Sequence, residues 1–348
     1  MKSLIYGYGI TGKSFARYLK KKNHEYDIFD SKISKFKNIK PLEEYDYIYC
    51  SPGVSRNTFN LLKSKSNVLT DLDIFFTEDT SIKIGITGTN RKSTTCFHLF
   101  QLFKSQDRVN LVGNIGNPML DSINNGKKYS IIELSSFQLD KMSSNELDFG
   151  ILLNIAEDHL DYHGSFEDYK KTKKKISDTN KFLKTEDPYE IFEWVTGSKA
   201  KIQSLKDLPY RFQKISNAII NDSKSTNMHS LQYAIELANR KFQNKNYVLI
   251  TCGNPEKEKF SKVSLDGPGE ILIYGNHRKE ISECIQNSDK KIFLNLRNAL
   301  DYIKIKNNIK NILFSPGYPS GNDYRDFEER GKSFNLLVKE IFNEQSSK

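Results

Sequence analysis

Cysteine is scarce in this chain of 348 residues: Cys50, Cys96, Cys252 and Cys284 lie far apart and form no CxxC pair. That excludes a disulfide-stapled scaffold and suits a reducing compartment. Long apolar runs are missing as well. None approaches the ~20 residues that a membrane helix needs, and the opening MKSLIYGYGITGKS breaks into glycines too early for a secretion signal. There is no internal repeat and no low-complexity tract. What is present is enough apolar material for real cores, 37% of residues with 12% aromatic, which excludes global disorder. The net charge of +10 comes from lysines spread along the chain among Asp and Glu. Anionic small molecules account for that excess more simply than nucleic acid does. The expectation is a soluble cytoplasmic protein that binds neither nucleic acid nor membrane.

Short apolar runs alternate with amphipathic stretches, the pattern of parallel sheets covered by helices. SLIY (3–6), YDIFD (26–30) and YDYIYCSPG (45–53) form a first series that ends in the polar EDTS near Thr80. SIKIGITG (81–88), VNLVG (109–113), YSIIELS (129–135) and FGILLNI (149–155) form a second, with helices expected at 93–104 and 166–182. The last three of these runs are continuous, as in strands buried on both faces. The pattern fades between Leu183 and Leu208. A third series starts near Pro209, contains NAII (217–220), YVLITCG (247–253), EILIYG (270–275), KIFLNL (291–296) and NILFSP (311–316), and closes with a helix over 324–342. The division expected is 1–80, 81–208 and 209–348.

Several strand ends carry chemistry. Gly7, Gly9 and Gly12 of GYGITG form GxGxxG directly after a strand, and Asp30 ends the next one. Such glycines let backbone approach a pyrophosphate, and the acid could reach a ribose or base edge, but a ligand-free turn gives the same letters. GITGTNRKST (85–94) is stronger: Lys92 can reach the β- and γ-phosphates, and the Ser93 hydroxyl can hold Mg2+. Arg91 stands where the phosphate-loop pattern has glycine. If that position needs a positive φ, the substitution costs roughly 1–2 kcal/mol. Glu133 ends a buried strand, where a Mg2+ ligand or a capped strand end would each account for it. Asn154, Glu157, Asp158, His159 and Asp161 cluster after another strand, a candidate metal or phosphate site. The lysine run Lys170–Lys175 reads mostly as a solvated helix face. INDSKSTN (220–227) places Asp222, Lys224 and Thr226 between a strand and a helix, and FSPGYPSGNDYRDFEERG (314–331) is a Pro/Gly loop running into a charged helix.

In their order these stretches resemble the Mur ligase family, and within it the branch that adds D-glutamate. The markers are GYGITG, SPGV, TGTN-x-KST, GNIG, ELSSFQL, N-x-x-EDHLD, LPYRF, NDSKSTN and SP-x-x-x-S with FEERG, spanning nearly the whole chain. The resemblance implies an α/β protein of three domains: a Rossmann-like N-terminal domain for the UDP moiety, a P-loop-type central domain of parallel sheet for ATP, and a Rossmann-like C-terminal domain for the amino acid. It implies a monomeric, ATP- and Mg2+-dependent amide-bond-forming ligase of peptidoglycan precursor synthesis, with UDP-N-acetylmuramoyl-L-alanine and D-glutamate as substrates. By motif, Ile10, Thr11, Asp30, Ser31 and Gly53 would line the UDP pocket, and Asn114 would meet the sugar-peptide. Gly88, Thr89, Asn90, Lys92, Ser93 and Thr94 would hold the phosphates, with Arg211 and Asp222 on ATP. Ser93, Glu133 and His159 would bind Mg2+, with Lys173 as a carbamylated lysine. Lys224, Thr226, Ser320 and Phe327 would hold D-glutamate. Departures from the family pattern are Arg91, Tyr210 for the usual His, a short 183–208 stretch without the usual His-Asn motif, and Glu256 where a lysine is usual. The alternatives are a degenerate homologue that still binds UDP-sugar, and a related ATP-dependent amide ligase such as a folate-polyglutamate former.

Overall fold

The computed structural model describes residues 2–105, 108–179, 181–242, 246–255, 262–306 and 311–343. Contacts divide the chain into two compact units, 1–205 and 206–348. The first contains two separate sheets and the second contains one.

The N-terminal sheet runs β2-β1-β3-β4 and is wholly parallel: β1 Ser3–Tyr6, β2 Tyr26–Phe29, β3 Tyr47–Cys50 and β4 Asn67–Leu69. Helix α1 (Ile10–Lys21) buries Phe15, Ala16 and Leu19, one helical stripe, against Ile5 and Tyr49. Helix α2 covers Arg56–Lys65. Helix α3 (Asp71–Glu78) starts with a capping box in which Thr70 and Asp73 satisfy each other's backbone N–H.

The central sheet, order β6-β7-β5-β8-β9, is also parallel throughout: β5 Ile82–Thr87, β6 Val109–Gly113, β7 Tyr129–Glu133, β8 Phe149–Leu152 and β9 Phe182–Lys184. Apolar faces on both sides of β7 and β8 meet two different clusters, one around Leu99 and Phe103 and the other around Leu72, Phe75 and Leu139, while β5 adds Ile84 and Ile86 to the first. This explains the unbroken apolar runs of β7 and β8. Around the sheet lie α4 (Lys92–Lys104), α5 (Ser136–Lys141), α6 (Leu160–His163), α7 (Phe166–Lys174) and α8 (Pro188–Thr196).

Two local expectations fail here. The single helix over 166–182 ends at Lys174, turns once through Lys175–Ser177, and gives way to β9. Ser177 donates to the Lys174 carbonyl (2.6 Å) and Thr179 to that of Leu147 (2.8 Å), side-chain bonds that compete with helix continuation. The featureless stretch after Leu183 contains α8, started by Asp187 as N-cap and Pro188 in its first turn. Its Phe192 packs edge-on to Phe103 at 4.9 Å.

The second unit has the sheet β10-β11-β15-β12-β13-β14: β10 Gln213–Lys214, β11 Ile219–Asn221, β12 Val248–Cys252, β13 Glu270–Tyr274, β14 Lys290–Phe293 and β15 Ile312–Gly317. Only the β10–β11 pair is antiparallel. Helices α9 (Met228–Phe242), α10 (Arg278–Cys284), α11 (Leu296–Lys306) and α12 (Phe327–Asn343) complete it. Among the described residues no helix is long and apolar enough to cross a membrane.

Candidate active site

Glu133 ends β7, and the segments that carry Lys92 and Asp158 follow β5 and β8. After β5, Gly88 passes so close to Leu153 that an added Cβ would lie 2.9 Å from that residue's Cβ. The loop is fastened to the chain after β8: Thr89 N–H donates to the Asn154 carbonyl (3.0 Å), and Asn90 N–H to Asn154 Oδ1 (2.8 Å). The Thr89 hydroxyl lies 3.0 Å from the Tyr169 hydroxyl and accepts from Ala156 N–H, also at 3.0 Å. Arg91 is the N-cap of α4 with φ 62° and ψ 4°, the left-handed conformation that favours glycine. Its guanidinium lies 3.6 Å from Glu186 Oε2, and Glu186 Oε1 accepts from Asn154 Nδ2 (2.8 Å). Lys92 Nζ folds over the loop, donating to the Gly88 and Thr89 carbonyls at 2.8 and 2.9 Å. Ser93 and Thr94 follow in the first turn of α4, where backbone N–H groups have no intrahelical acceptor and suit an anion.

Lys173, on α7, is 1% exposed and donates to Thr87 Oγ1 at 3.1 Å. Burial pulls its ammonium well below the usual lysine range, and the positive charge of Lys92 adds to that. Asp158 and Glu133 act in the opposite sense. Those four ionisable groups therefore share one electrostatic neighbourhood. Tyr169, one turn before Lys173, presents its ring 5.1 Å from the Lys173 ammonium. Glu133, also 1% exposed, accepts from Asn114 Nδ2 (3.1 Å) through Oε1, while its buried Oε2 has no hydrogen-bond partner among the described residues.

His159 adjoins Asp158 of this group. It is left-handed (φ 53°) as the N-cap of α6, its side chain is 43% exposed, and its ring packs 4.9 Å from Phe137. Its Nε2 lies 3.5 Å from Asp158 Oδ2. Among the described residues no three His, Cys, Asp or Glu side chains form a ready metal cage. Mg2+ does not require one, since it binds through one or two carboxylates with phosphates and waters. The orphaned oxygen of Glu133, beside the loop that carries Ser93, fits such a cation.

In the N-terminal sheet, GYGITG does form a tight strand–helix turn. A Cβ on Gly12 would lie 2.1 Å from the Gly7 carbonyl oxygen, so only glycine fits there. Asp30 closes this turn, accepting from Tyr8 N–H (2.7 Å) and Lys32 N–H (2.9 Å), and these bonds hold its carboxyl below the usual range. Ile10 is 78% exposed at the start of α1, Thr11 follows it partly exposed, and Ser31 and Gly53 are exposed in loops of the same sheet. Sequence reading gave no role to Arg56, Asp140 or Tyr162, which form a junction below SPGV. Arg56 makes a two-pronged bond to Asp140 (2.9 and 2.6 Å), and the Tyr162 hydroxyl also donates to Asp140 (3.0 Å). Buried Lys141 donates to the Pro52 carbonyl at 2.8 Å and to the Tyr162 oxygen at 3.1 Å.

In the second unit, Asp222 accepts from Phe212 N–H (2.8 Å) and from the Ser315 hydroxyl (3.0 Å); burial pushes its carboxyl up to about 7. Lys224 Nζ and the Arg211 guanidinium approach the Phe327 ring at 4.7 and 5.9 Å. Ser320 is buried, and Thr226 lies partly exposed before α9. Glu256 falls outside the described residues.

A phosphate loop beside a buried lysine and a buried carboxylate, on parallel sheet, marks a nucleotide-using enzyme. Comparison with known proteins agrees. The Mur ligase middle domain matches residues 86–244. The UDP-N-acetylmuramoylalanine–D-glutamate ligase of Buchnera aphidicola subsp. Schizaphis graminum is 30% identical over an aligned length of 439, covering 98% of each chain. That of Francisella philomiragia is 28% identical, covering 98% of this chain and 97% of the relative. Among solved structures, the MurF ligase of Thermotoga maritima in complex with ADP superposes with a TM-score of 0.56 at 14% identity, covering 97% of this chain and 95% of that one. A pseudomurein peptide ligase type C from Methanothermus fervidus gives 0.54 at 14%, covering 98% and 99%. These two show the fold. The chain belongs to the Mur ligase family, in its UDP-N-acetylmuramoylalanine–D-glutamate ligase branch.

Proposed function

We propose that the protein joins D-glutamate to UDP-N-acetylmuramoyl-L-alanine at the expense of ATP, working as three domains, 1–80, 81–208 and 209–348. The observation that carries this reading is the shared neighbourhood of Lys92, Glu133 and Lys173 next to a phosphate loop, in a chain related over its whole length to D-glutamate-adding ligases.

A carboxylate is a poor electrophile. The alanyl carboxylate oxygen attacks the γ-phosphorus of ATP, giving an acyl phosphate and ADP. The amine of D-glutamate then attacks the acyl carbon, inorganic phosphate leaves, and the amine gives up a proton. Phosphoryl transfer of this kind is mainly positioning and charge neutralisation. Lys92 leaves the Gly88 and Thr89 carbonyls for the β- and γ-phosphates, while the first N–H groups of α4 hold them in line. Ser93, Glu133 and His159 would hold Mg2+, which when bound neutralises phosphate oxygens. Burial makes the Lys173 ammonium easier to deprotonate, and the neutral amine is the form that attacks CO2; the new N–C bond would make a carbamate and release a proton. That negative group would replace an ammonium repelled by Lys92 and add an oxygen ligand. Asp30, Ile10, Thr11, Ser31, Gly53 and Asn114 serve the UDP-sugar-peptide. Arg211 and Asp222 serve ATP, and Lys224, Thr226, Ser320 and Phe327 serve D-glutamate.

The test is phosphate release from ATP with each substrate omitted in turn. Release that needs both UDP-N-acetylmuramoyl-L-alanine and D-glutamate supports the reading. No release in Mg2+ and bicarbonate, with UDP-substrate binding intact, would replace it by a degenerate binding protein.

A further inference from the structure

Arg330, on α12, is fully buried, and among the described residues it donates to three neutral oxygens: Nε to Ser223 Oγ (3.1 Å), Nη2 to the Ser223 carbonyl (2.7 Å) and Nη1 to the Tyr318 carbonyl (3.0 Å), while Asp222 and Cys252 lie near enough to feel its charge. Burying a guanidinium without a hydrogen-bonded carboxylate is costly, so the arrangement calls for a reason. The acceptors sit on two separate loops. Ser223 belongs to the turn after β11 that continues into Lys224 and Thr226, and Tyr318 belongs to the turn after β15 that continues into Ser320. The Ser223 hydroxyl, while accepting from Arg330, donates to the Phe327 carbonyl (2.8 Å), which ties in the first residue of α12. One rigid, planar fork thus spaces the three segments that carry Lys224, Thr226, Ser320 and Phe327. A lysine ammonium lacks the shape to do this.

We infer that Arg330 is a positioning residue for the amino-acid substrate. By pinning the Ser223 and Tyr318 turns to the start of α12, it holds the groups that meet D-glutamate at the spacing its two carboxylates require. The inference rests on the functional reading above. It touches no substrate atom and acts only through the loops.

Arg330→Lys and Ser223→Ala, in the full chain, test it by phosphate release with D-glutamate, UDP-substrate and ATP varied separately, alongside melting temperature. Arg330→Lys keeps the charge and loses the fork; KM for D-glutamate should rise about tenfold, with the other two KM values within about twofold. Ser223→Ala removes one oxygen and should raise the same KM about threefold. If Arg330→Lys does not fold, Ser223→Ala decides. Wild-type turnover with KM for D-glutamate unmoved in the variants, even if kcat and melting temperature fall, overturns this inference alone. Wild-type protein that neither turns over nor binds D-glutamate overturns the functional reading and this inference with it.

Discussion

At position 91 an arginine holds a left-handed backbone, which costs about 1–2 kcal/mol relative to glycine. Its contact with Glu186 joins two side chains each one-third exposed, worth about 0–1 kcal/mol. The backbone cost is the larger. Arg91→Gly should therefore raise the melting temperature by about 2–4 °C and lower KM for ATP. Weaker ATP binding in that variant would mean that the guanidinium meets phosphate. Asp71 behaves differently. It is buried at the start of α3, its Oδ1 has no partner among the described residues, and burial pushes its carboxyl up to about 7. The unfolded group ionises near 3.8, so between pH ~4 and ~7 the unfolded chain holds fewer protons and unfolding gains as pH rises. Asp71→Asn should flatten that slope and stabilise the protein above pH ~7 by on the order of 1–3 kcal/mol, measured by denaturant titration across pH.

Elements were legible in the sequence where burial imposed a period. β7 and β8, each covered on both faces, read directly as apolar runs. Helix α8 did not, because only Ile191 and Phe192 are buried among its nine residues; the Asp187-Pro188 start was the available signal. The candidate site was legible where a motif names its chemistry, as at Lys92. Arg330 and Asp140 were not, because their importance lies in partners about a hundred residues away for one and 84 for the other. The Asp140 junction joins the start of α2 to the first residues after His159, so it braces SPGV against α6. Asp140→Asn keeps the size and loses the charge. It should raise KM for the UDP-substrate several-fold while leaving KM for D-glutamate in place. Arg56→Ala should do the same, and the double variant should be no worse than either alone, which a double-mutant cycle would read as coupling of about 1 kcal/mol. Additive losses would show that the two side chains act separately.

At the scale of the molecule, the second unit has its own sheet and two core clusters, one on each face, around Phe314 and Phe334 and around Leu249 and Ile273. A fragment of residues 206–348 should fold alone and melt cooperatively, checked by circular dichroism; a broad, non-cooperative melt would show that it depends on the rest of the chain. The buried amine at position 173 has a consequence for the whole enzyme. Turnover should track dissolved inorganic carbon: protein dialysed under argon into degassed buffer should start sluggishly, then accelerate over minutes once carbonated buffer is added. Lys173→Glu, which supplies a carboxyl there without CO2, should be indifferent to the gas phase.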